Sequence, residues 1–180
     1  MHALLTAAVL AAALQSEAVA QPVADPVADP VVQSVAVGEA APKLEAVTPD
    51  GAAIAEDWSK GDVVVVAFFA TWCGPCHRAL RELGAIRQTL GPRLRFVLVE
   101  AGDDAPAIKR FIAANPLPEG AVVVTDPSGS LRRRWGCTII PSFFIVDGAK
   151  TVRYINHGWG DSSEPHFLRR LHNVLGDAGR

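Results

Sequence analysis

The chain has 180 residues, of which 49% are hydrophobic, so it is long enough to form one domain with a substantial core. Its formal net charge of −2 argues against a nucleic-acid partner and against electrostatic binding to a membrane surface. Three cysteines are too few for a disulfide framework, and the odd number leaves one thiol without a partner.

The N-terminus predicts export. Residues 3–14 form an apolar, alanine-rich run of signal-peptide length, and Ala18-Val19-Ala20 fits the small-x-small pattern that signal peptidase reads. We interpret residues 1–20 as a signal peptide, although this stretch contains His2 and no Lys or Arg; an uncleaved tether is the alternative. The prediction places the mature chain in the periplasm or another extracytoplasmic compartment, with no stable membrane insertion after cleavage.

Residues 21–36 are predicted to be a spacer rich in Pro, Val and Ala. Pro-Val-Ala-Asp is repeated there, and proline at every fourth position blocks helix formation and favours an extended chain. The folded domain is expected over residues 37–176, with a short tail at 177–180.

Hydrophobic patterns and turn signals divide this domain into strands and helices. The run Val63–Phe69 is continuously apolar, as expected for a strand buried on both faces, and Asp147-Gly148 is a tight-hairpin signal. In chain order we predict a hairpin over 44–54, a strand over 63–69, a helix over 73–90, a strand over 95–100, a helix ending at 114, an extended segment over 121–125, a short helix ending at 135, strands over 142–146 and 151–156, and a helix over 162–175. This order predicts an α/β fold with a central mixed β-sheet flanked by helices and an N-terminal β-hairpin extension.

The segment Trp72-Cys73-Gly74-Pro75-Cys76 lies at the predicted strand-to-helix junction. Two cysteines separated by two residues can open and close as a disulfide, and the helix N-terminus favours the thiolate of Cys73 through its unpaired N–H groups. Because the thiolate is the nucleophile, the segment predicts thiol–disulfide exchange.

A structural zinc site is the alternative for this cysteine pair. Such a site needs two more ligands, for which Cys137 or His77 could be proposed. The sequence contains no second Cys-x-x-Cys and no His pair with ligand spacing, so we predict a redox dithiol, no metal and no cofactor.

This order of elements and the Trp72–Cys76 segment resemble the thioredoxin superfamily, in which Trp-Cys-Gly-Pro-Cys follows the first central strand. A second signature, Trp135-Gly136-Cys137-Thr138-Ile139-Ile140-Pro141-Ser142, is similar to the segment in which a cis-proline precedes the terminal hairpin. Three segments look most like the exported TlpA/ResA branch, namely 38–42, 68–76 and 145–148. The resemblance covers nearly all of residues 37–176 and implies the thioredoxin fold.

The resemblance also implies a substrate-binding surface around the dithiol. Pro141 would be a cis-proline that turns the backbone of Ile140 toward the substrate, and Trp72 would form an apolar lip beside the first cysteine. Gly74 and Pro75 are the pair typical of reducing members of the superfamily. The alternatives are an ordinary trans-proline and a half-buried aromatic residue at the strand end.

The expected mechanism is reduction of a protein disulfide. Cys73 attacks the substrate and forms a mixed disulfide, and Cys76, one turn into the helix, then attacks Cys73 and releases the reduced product. The expected partners are therefore a disulfide-containing protein and an upstream thiol protein that donates electrons, and we expect a monomer. A dithiol oxidase and a non-catalytic binding or chaperone-like module are the rival functions; the residues that a peroxidase would require are absent.

Three positions depart from the relatives' pattern. Ala67 stands where thioredoxins have a buried Asp, while Ala79 and Arg81 replace a Glu and a helix-kinking proline of the exported branch. Deprotonation of the second cysteine must then rely on water, or on Glu82 or Glu100 if either reaches it. Two further side chains have no assigned chemistry: the odd Cys137 is interpreted as a small buried hydrophobe, with a regulatory thiol as the alternative, and His77 as a surface residue.

Overall fold

The computed structural model describes residues 34–54 and 63–177. The predicted signal peptide at 1–20, residues 21–33 of the predicted spacer and residues 178–180 of the tail lie outside the described residues, so these boundaries stay predictions. None of the helices within the described ranges is long and apolar enough to cross a membrane.

Within the described residues, five strands and four helices follow one another in the order expected from the sequence. They are β1 (Val63–Phe69), α1 (Gly74–Leu90), β2 (Leu94–Glu100), α2 (Ala105–Ala114), β3 (Val122–Thr125), α3 (Ser130–Arg134), β4 (Ser142–Val146), β5 (Val152–His157) and α4 (Ser163–Asp177). The sheet order is β3-β2-β1-β4-β5, with β1, β2 and β3 parallel and β4 and β5 antiparallel to their neighbours. The predicted mixed sheet flanked by helices is confirmed.

Strand β1 is the centre of the fold, and all seven of its residues are buried. Its residues alternate between two hydrophobic cores: Val63, Val65, Ala67 and Phe69 face one side, and the residues between them face the other. An uninterrupted apolar run is required because both faces are covered, which is why no polar residue interrupts this strand.

The first core lies between the sheet and the helices α1, α2 and α4. Helix α1 contributes a stripe at helical spacing, consisting of Cys76, Ala79, Leu80, Leu83 and Ile86. The second core lies on the opposite face, where Trp135 at the end of α3 packs on Phe68 and Phe144 with ring centroids 6.1 and 5.0 Å apart.

The N-terminal hairpin pairs residues 46–54, within the predicted range of 44–54. A β-bridge joins Val47 to Ala53, and the N–H groups of Thr48 and Ile54 donate to the carbonyls of Ala52 and Ala46 at 2.8 and 3.1 Å. Val47 also bridges Thr125, so the hairpin extends the sheet beyond the β3 edge.

A cavity of about 730 Å³ opens between this hairpin and the start of α3. Its walls include Leu44, Ile54 and Leu131, which also belong to or pack against the second core. The cavity therefore lies on the face of the sheet opposite α1.

Candidate active site

Cys73 and Cys76 occupy the start of α1, immediately after the turn that follows β1. They form a disulfide with an S–S distance of 2.07 Å and a Cα–Cα distance of 5.2 Å. Cys73 is the N-cap residue, and its Sγ accepts the backbone N–H of Cys76 at 3.3 Å. In the reduced form the same position places the Cys73 sulfur at the positive end of the helix dipole, which favours its thiolate.

The two sulfurs differ in access. Cys73 is 6% exposed and Cys76 is fully buried, while Gly74 and Pro75 between them are exposed. Trp72, directly before the first cysteine, is 73% exposed and is the most exposed of the large hydrophobic side chains in the described ranges. An incoming sulfur therefore meets Cys73 first, beside an apolar surface.

The Ile140–Pro141 peptide bond is cis and lies at the same end of the sheet. Ser142 pairs with Phe68 in the antiparallel β1–β4 register, so the residue before Ser142 is level with the last residue of β1. Pro141 is buried, whereas Ile140 is half-buried. The register thus brings this segment to the edge from which the dithiol turn begins.

The segment ahead of the cis bond is held by its own neighbours. The carbonyl of Ile139 accepts the Ser142 hydroxyl at 2.6 Å and the Cys137 thiol at 3.2 Å. Cys137 is 8% exposed, and burial raises the pKa of its thiol. This cysteine is therefore a protonated packing residue that fixes a backbone carbonyl, as the simpler interpretation of the sequence expected.

Thr71, two residues before Cys73, makes hydrogen bonds through its N–H, its hydroxyl and its carbonyl. Its backbone N–H and its hydroxyl both donate to Oδ2 of Asp103, at 3.0 and 2.6 Å. Its carbonyl accepts Nε2–H of His77 at 2.7 Å, and the His77 ring packs on Phe111 with centroids 5.0 Å apart. The prediction of a surface role for His77 was wrong, because its ring is half-buried between the turn and α2.

The contact between Thr71 and Asp103 was not predicted from the sequence. Two acidic residues, Asp103 and Asp104, precede α2, and Asp104 alone caps it by accepting the N–H of Ala107 at 2.8 Å. The second acidic residue was thus available for another partner, and this redundancy was the signal in the sequence.

Glu100, at the end of β2, is fully buried. Its Oε2 accepts the N–H groups of Gly102 and Asp103 at 3.0 and 2.8 Å, whereas Oε1 has no hydrogen-bond donor among the described residues. Burial, then a hydrogen bond to the Asp103 carboxylate, raises the pKa of Glu100 to about 7. Burial also acts to raise the pKa of Asp103, but hydrogen bonds from Thr71 and Glu100 outweigh it and the pKa is lowered.

Glu82, the other candidate acid, is engaged elsewhere. Its Oε2 accepts the indole N–H of Trp159 at 2.6 Å, and its Oε1 lies 3.9 Å from Arg78. Ala67 and Ala79 are fully buried in the first core, so the positions at which the relatives carry acids contribute only packing here. Proton transfer from Cys76 through Glu82 or Glu100 stays a prediction.

Metal ligation has no support in the residues that the structure places. Within 34–54 and 63–177, no group of three or more His, Cys, Asp or Glu side chains is positioned to hold a metal ion.

Known proteins resemble this chain in sequence and in structure. A family model described as Redoxin matches residues 36–167. The thiol:disulfide interchange protein DsbE homolog of Paracoccus denitrificans is 31% identical over 130 residues, which cover 69% of this chain and 68% of that protein. The thiol-disulfide oxidoreductase ResA of Bacillus thuringiensis subsp. konkukian is 22% identical over 141 residues, which cover 77% of this chain and 80% of that protein. A solved thiol:disulfide interchange protein of the thioredoxin family from Chlorobium tepidum superposes with a TM-score of 0.63 at 26% identity, covering 79% of this chain and 100% of that one.

Proposed function

Because the chain belongs to the Redoxin family, we propose that it uses its dithiol to reduce disulfides of proteins outside the cytoplasm. The expected thioredoxin-superfamily relationship, with its TlpA/ResA-like character, is confirmed, and the protein is a thiol–disulfide oxidoreductase. Such chemistry requires a disulfide-containing substrate and a thiol redox partner. The observation that carries the proposal is a disulfide at a helix start whose first cysteine is slightly exposed and whose second is fully buried.

The exchange proceeds in two balanced steps. The Cys73 thiolate attacks one sulfur of the substrate disulfide, a mixed disulfide forms, and the other substrate sulfur leaves as a thiolate that takes up a proton. The Cys76 thiolate then attacks the Cys73 sulfur, which re-forms the internal disulfide and releases the second substrate thiol. Two electrons pass to the substrate, and an upstream thiol protein returns the enzyme to its dithiol form.

The reducing direction is supported by the residues between the cysteines. Gly74 and Pro75 add no charge near the first sulfur, so its thiolate is stabilised by the helix start and the backbone N–H of Cys76. A strongly oxidising dithiol needs much greater stabilisation of its reduced form. We therefore place the pair at the reducing end of the range, with oxidation of dithiols as the reverse reaction.

The substrate contacts that we propose surround the accessible sulfur. Trp72 supplies an apolar surface, and the backbone of Ile140 offers strand-like hydrogen bonds to an extended peptide, since Pro141 has no N–H to compete for them. Gly74 and Pro75 are exposed and leave room for the incoming chain. We expect the site to work in a monomer.

Export is proposed from the N-terminal sequence. Residues 1–20 have the pattern of a signal peptide and residues 21–36 that of an extended spacer. A protease-protection assay in intact cells and spheroplasts, with N-terminal sequencing of the mature chain, tests this; a chain that begins at Met1 and resists protease in spheroplasts contradicts it.

Reduction of insulin disulfides by the full-length chain, with dithiothreitol as electron source, tests the activity. We expect turnover that Cys73→Ser abolishes and that Cys137→Ser leaves unchanged. Absence of turnover in the unsubstituted chain would favour a binding or chaperone-like module. The reduction potential of the dithiol, measured against glutathione, then decides the direction: a value near the oxidising end of the thioredoxin superfamily, about −120 mV, would identify a dithiol oxidase.

A further inference from the structure

Three hydrogen bonds, all made by Thr71, fix the turn that carries Trp72 and Cys73. Thr71 donates twice to Oδ2 of Asp103 and accepts once from His77. Because the cysteine follows only two residues later, the position of its sulfur at the helix start depends on this residue staying in place. Asp103 is thus bound to the reactive turn from 32 residues away along the chain.

Asp103 is in turn held by Glu100. Glu100 stands opposite Phe69 in the β1–β2 register, at the strand end from which the dithiol turn begins, and its Oε2 accepts the backbone N–H of Asp103. Its buried Oε1 is left without a donor if the carboxyl is ionised. A proton on this carboxyl allows it to donate to the Asp103 carboxylate and leaves one negative charge on the pair.

We propose that Glu100 and Asp103 share one proton and act together, through Thr71, as positioning residues that set the reactivity of Cys73. The proposal deepens the exchange function stated above and rests on it. Loss of the shared proton breaks the bond between the two carboxyl groups and adds a second negative charge beside the dithiol turn. Both changes disfavour the Cys73 thiolate. Once the shared proton is lost, Cys73 therefore reacts more slowly than a thiol that ionises independently of the carboxyl pair.

The other titratable groups around this pair have separate partners. Asp104 caps α2, and the Asp126 carboxylate accepts the N–H groups of Leu131 and Arg132 at 3.1 and 2.9 Å at the start of α3. His77, from α1, contacts the carbonyl of Thr71 rather than either carboxyl group.

The proposal is tested by the alkylation rate of Cys73 in the reduced full-length chain, with iodoacetamide as probe and peptide mass mapping as readout, between pH 5.5 and 9. We expect two steps in the plot of alkylation rate against pH. The rate first rises as the Cys73 thiol ionises; at pH above about 7 a second step lowers the rate about two- to fivefold relative to the curve for a single thiol titration. Glu100→Gln should show one step, since its amide oxygen still accepts the backbone N–H groups and its NH₂ donates to Asp103 without titrating.

One control keeps the outcome decisive. Glu119→Gln changes an exposed carboxyl outside the site and should retain both steps. A single step in the unsubstituted chain, or two unchanged steps in Glu100→Gln, overturns the proposal. Since alkylation needs no substrate, a chain that fails to reduce insulin yet shows the expected profile would refute the proposed function and not this one.

The transmitting residue is tested separately, which also covers the case in which Glu100→Gln does not fold. Thr71→Val removes the hydroxyl that donates at 2.6 Å, while Thr71→Ser keeps it. We expect a roughly three- to tenfold loss of kcat/KM for insulin in the valine variant, together with an altered Cys73 alkylation profile, and near-normal values in the serine variant. Equal behaviour of the two variants would contradict the role of the hydroxyl.

Discussion

The indole N–H of Trp159 donates to the carboxylate of Glu82 at 2.6 Å, across 77 residues of chain. Trp159 follows β5, and Glu82 lies on the helix that begins with the dithiol. The Trp159 ring also packs against Phe143 and Phe167, with centroids 4.8 and 5.5 Å away. The contact therefore links α1 to the C-terminal part of the fold.

Replacing Trp159 with Phe should lower the free energy of unfolding by about 1.5–3 kcal/mol, because a buried donor to a charged acceptor is lost. Urea denaturation measures the change. Glu82→Ala removes the acceptor oxygen, and a double-mutant cycle of the two substitutions separates the hydrogen bond from ring packing. Additive effects of the two substitutions would show that the bond contributes nothing to stability.

Cys76→Ser should trap the exchange at its first step. Cys73 can still attack a substrate disulfide, but no second sulfur is available to release the product, so a mixed disulfide accumulates. Non-reducing electrophoresis after incubation with insulin detects the adduct. Cys73→Ser, the matched control, should form none, because the remaining sulfur is fully buried; equal adduct in both variants would refute the assigned order.

Trp72→Ala should weaken substrate use without affecting the dithiol itself. An apolar contact of about 50 Å² at roughly 25 cal/mol per Å² corresponds to a loss of about eightfold in kcat/KM for a protein disulfide. The reduction potential and the melting temperature should stay unchanged, because the side chain is 73% exposed. Val37→Ala, at a 58% exposed position in the N-terminal segment, is the control and should match the unsubstituted chain.

Glu100 should make stability depend on pH between about 4.5 and 7. Its pKa is raised to about 7 in the folded state, so the folded chain binds more protons than the unfolded chain in this window. The free energy of unfolding therefore falls as pH rises from 4.5 to 7, by about 3 kcal/mol from this group, and the loss persists at higher pH. Chemical denaturation at pH 5 and pH 8 should show this difference in the unsubstituted chain and its reduction in Glu100→Gln; an equal pH dependence in both would contradict the titration.

The local features of the fold could be predicted from the sequence. The apolar run of β1, the cysteine pair after it and the turn at Asp147-Gly148 each depend on residues close together in the chain. The cis bond before Pro141 could be expected only through resemblance, because a single proline carries no sequence signal for its isomer.

The side-chain network around the dithiol could not be predicted. Thr71 meets Asp103 because two parallel strands end at the same edge of the sheet, and no local pattern specifies which acidic residue turns inward. Glu100 looks like the polar end of a strand in the sequence, and only the packed structure shows that it is buried. Such contacts depend on tertiary packing, which residue spacing does not encode.

The cavity of about 730 Å³ and the dithiol lie on opposite faces of the sheet. A compound that lodges beside Leu44 and Leu131 would raise the melting temperature by binding the folded form, while leaving the accessible sulfur open to its substrates. For inhibitor discovery, a thermal-shift screen on this protein would therefore select compounds that stabilise the fold without inhibiting thiol exchange. A kinetic assay of thiol exchange is the measurement to use for the first screen.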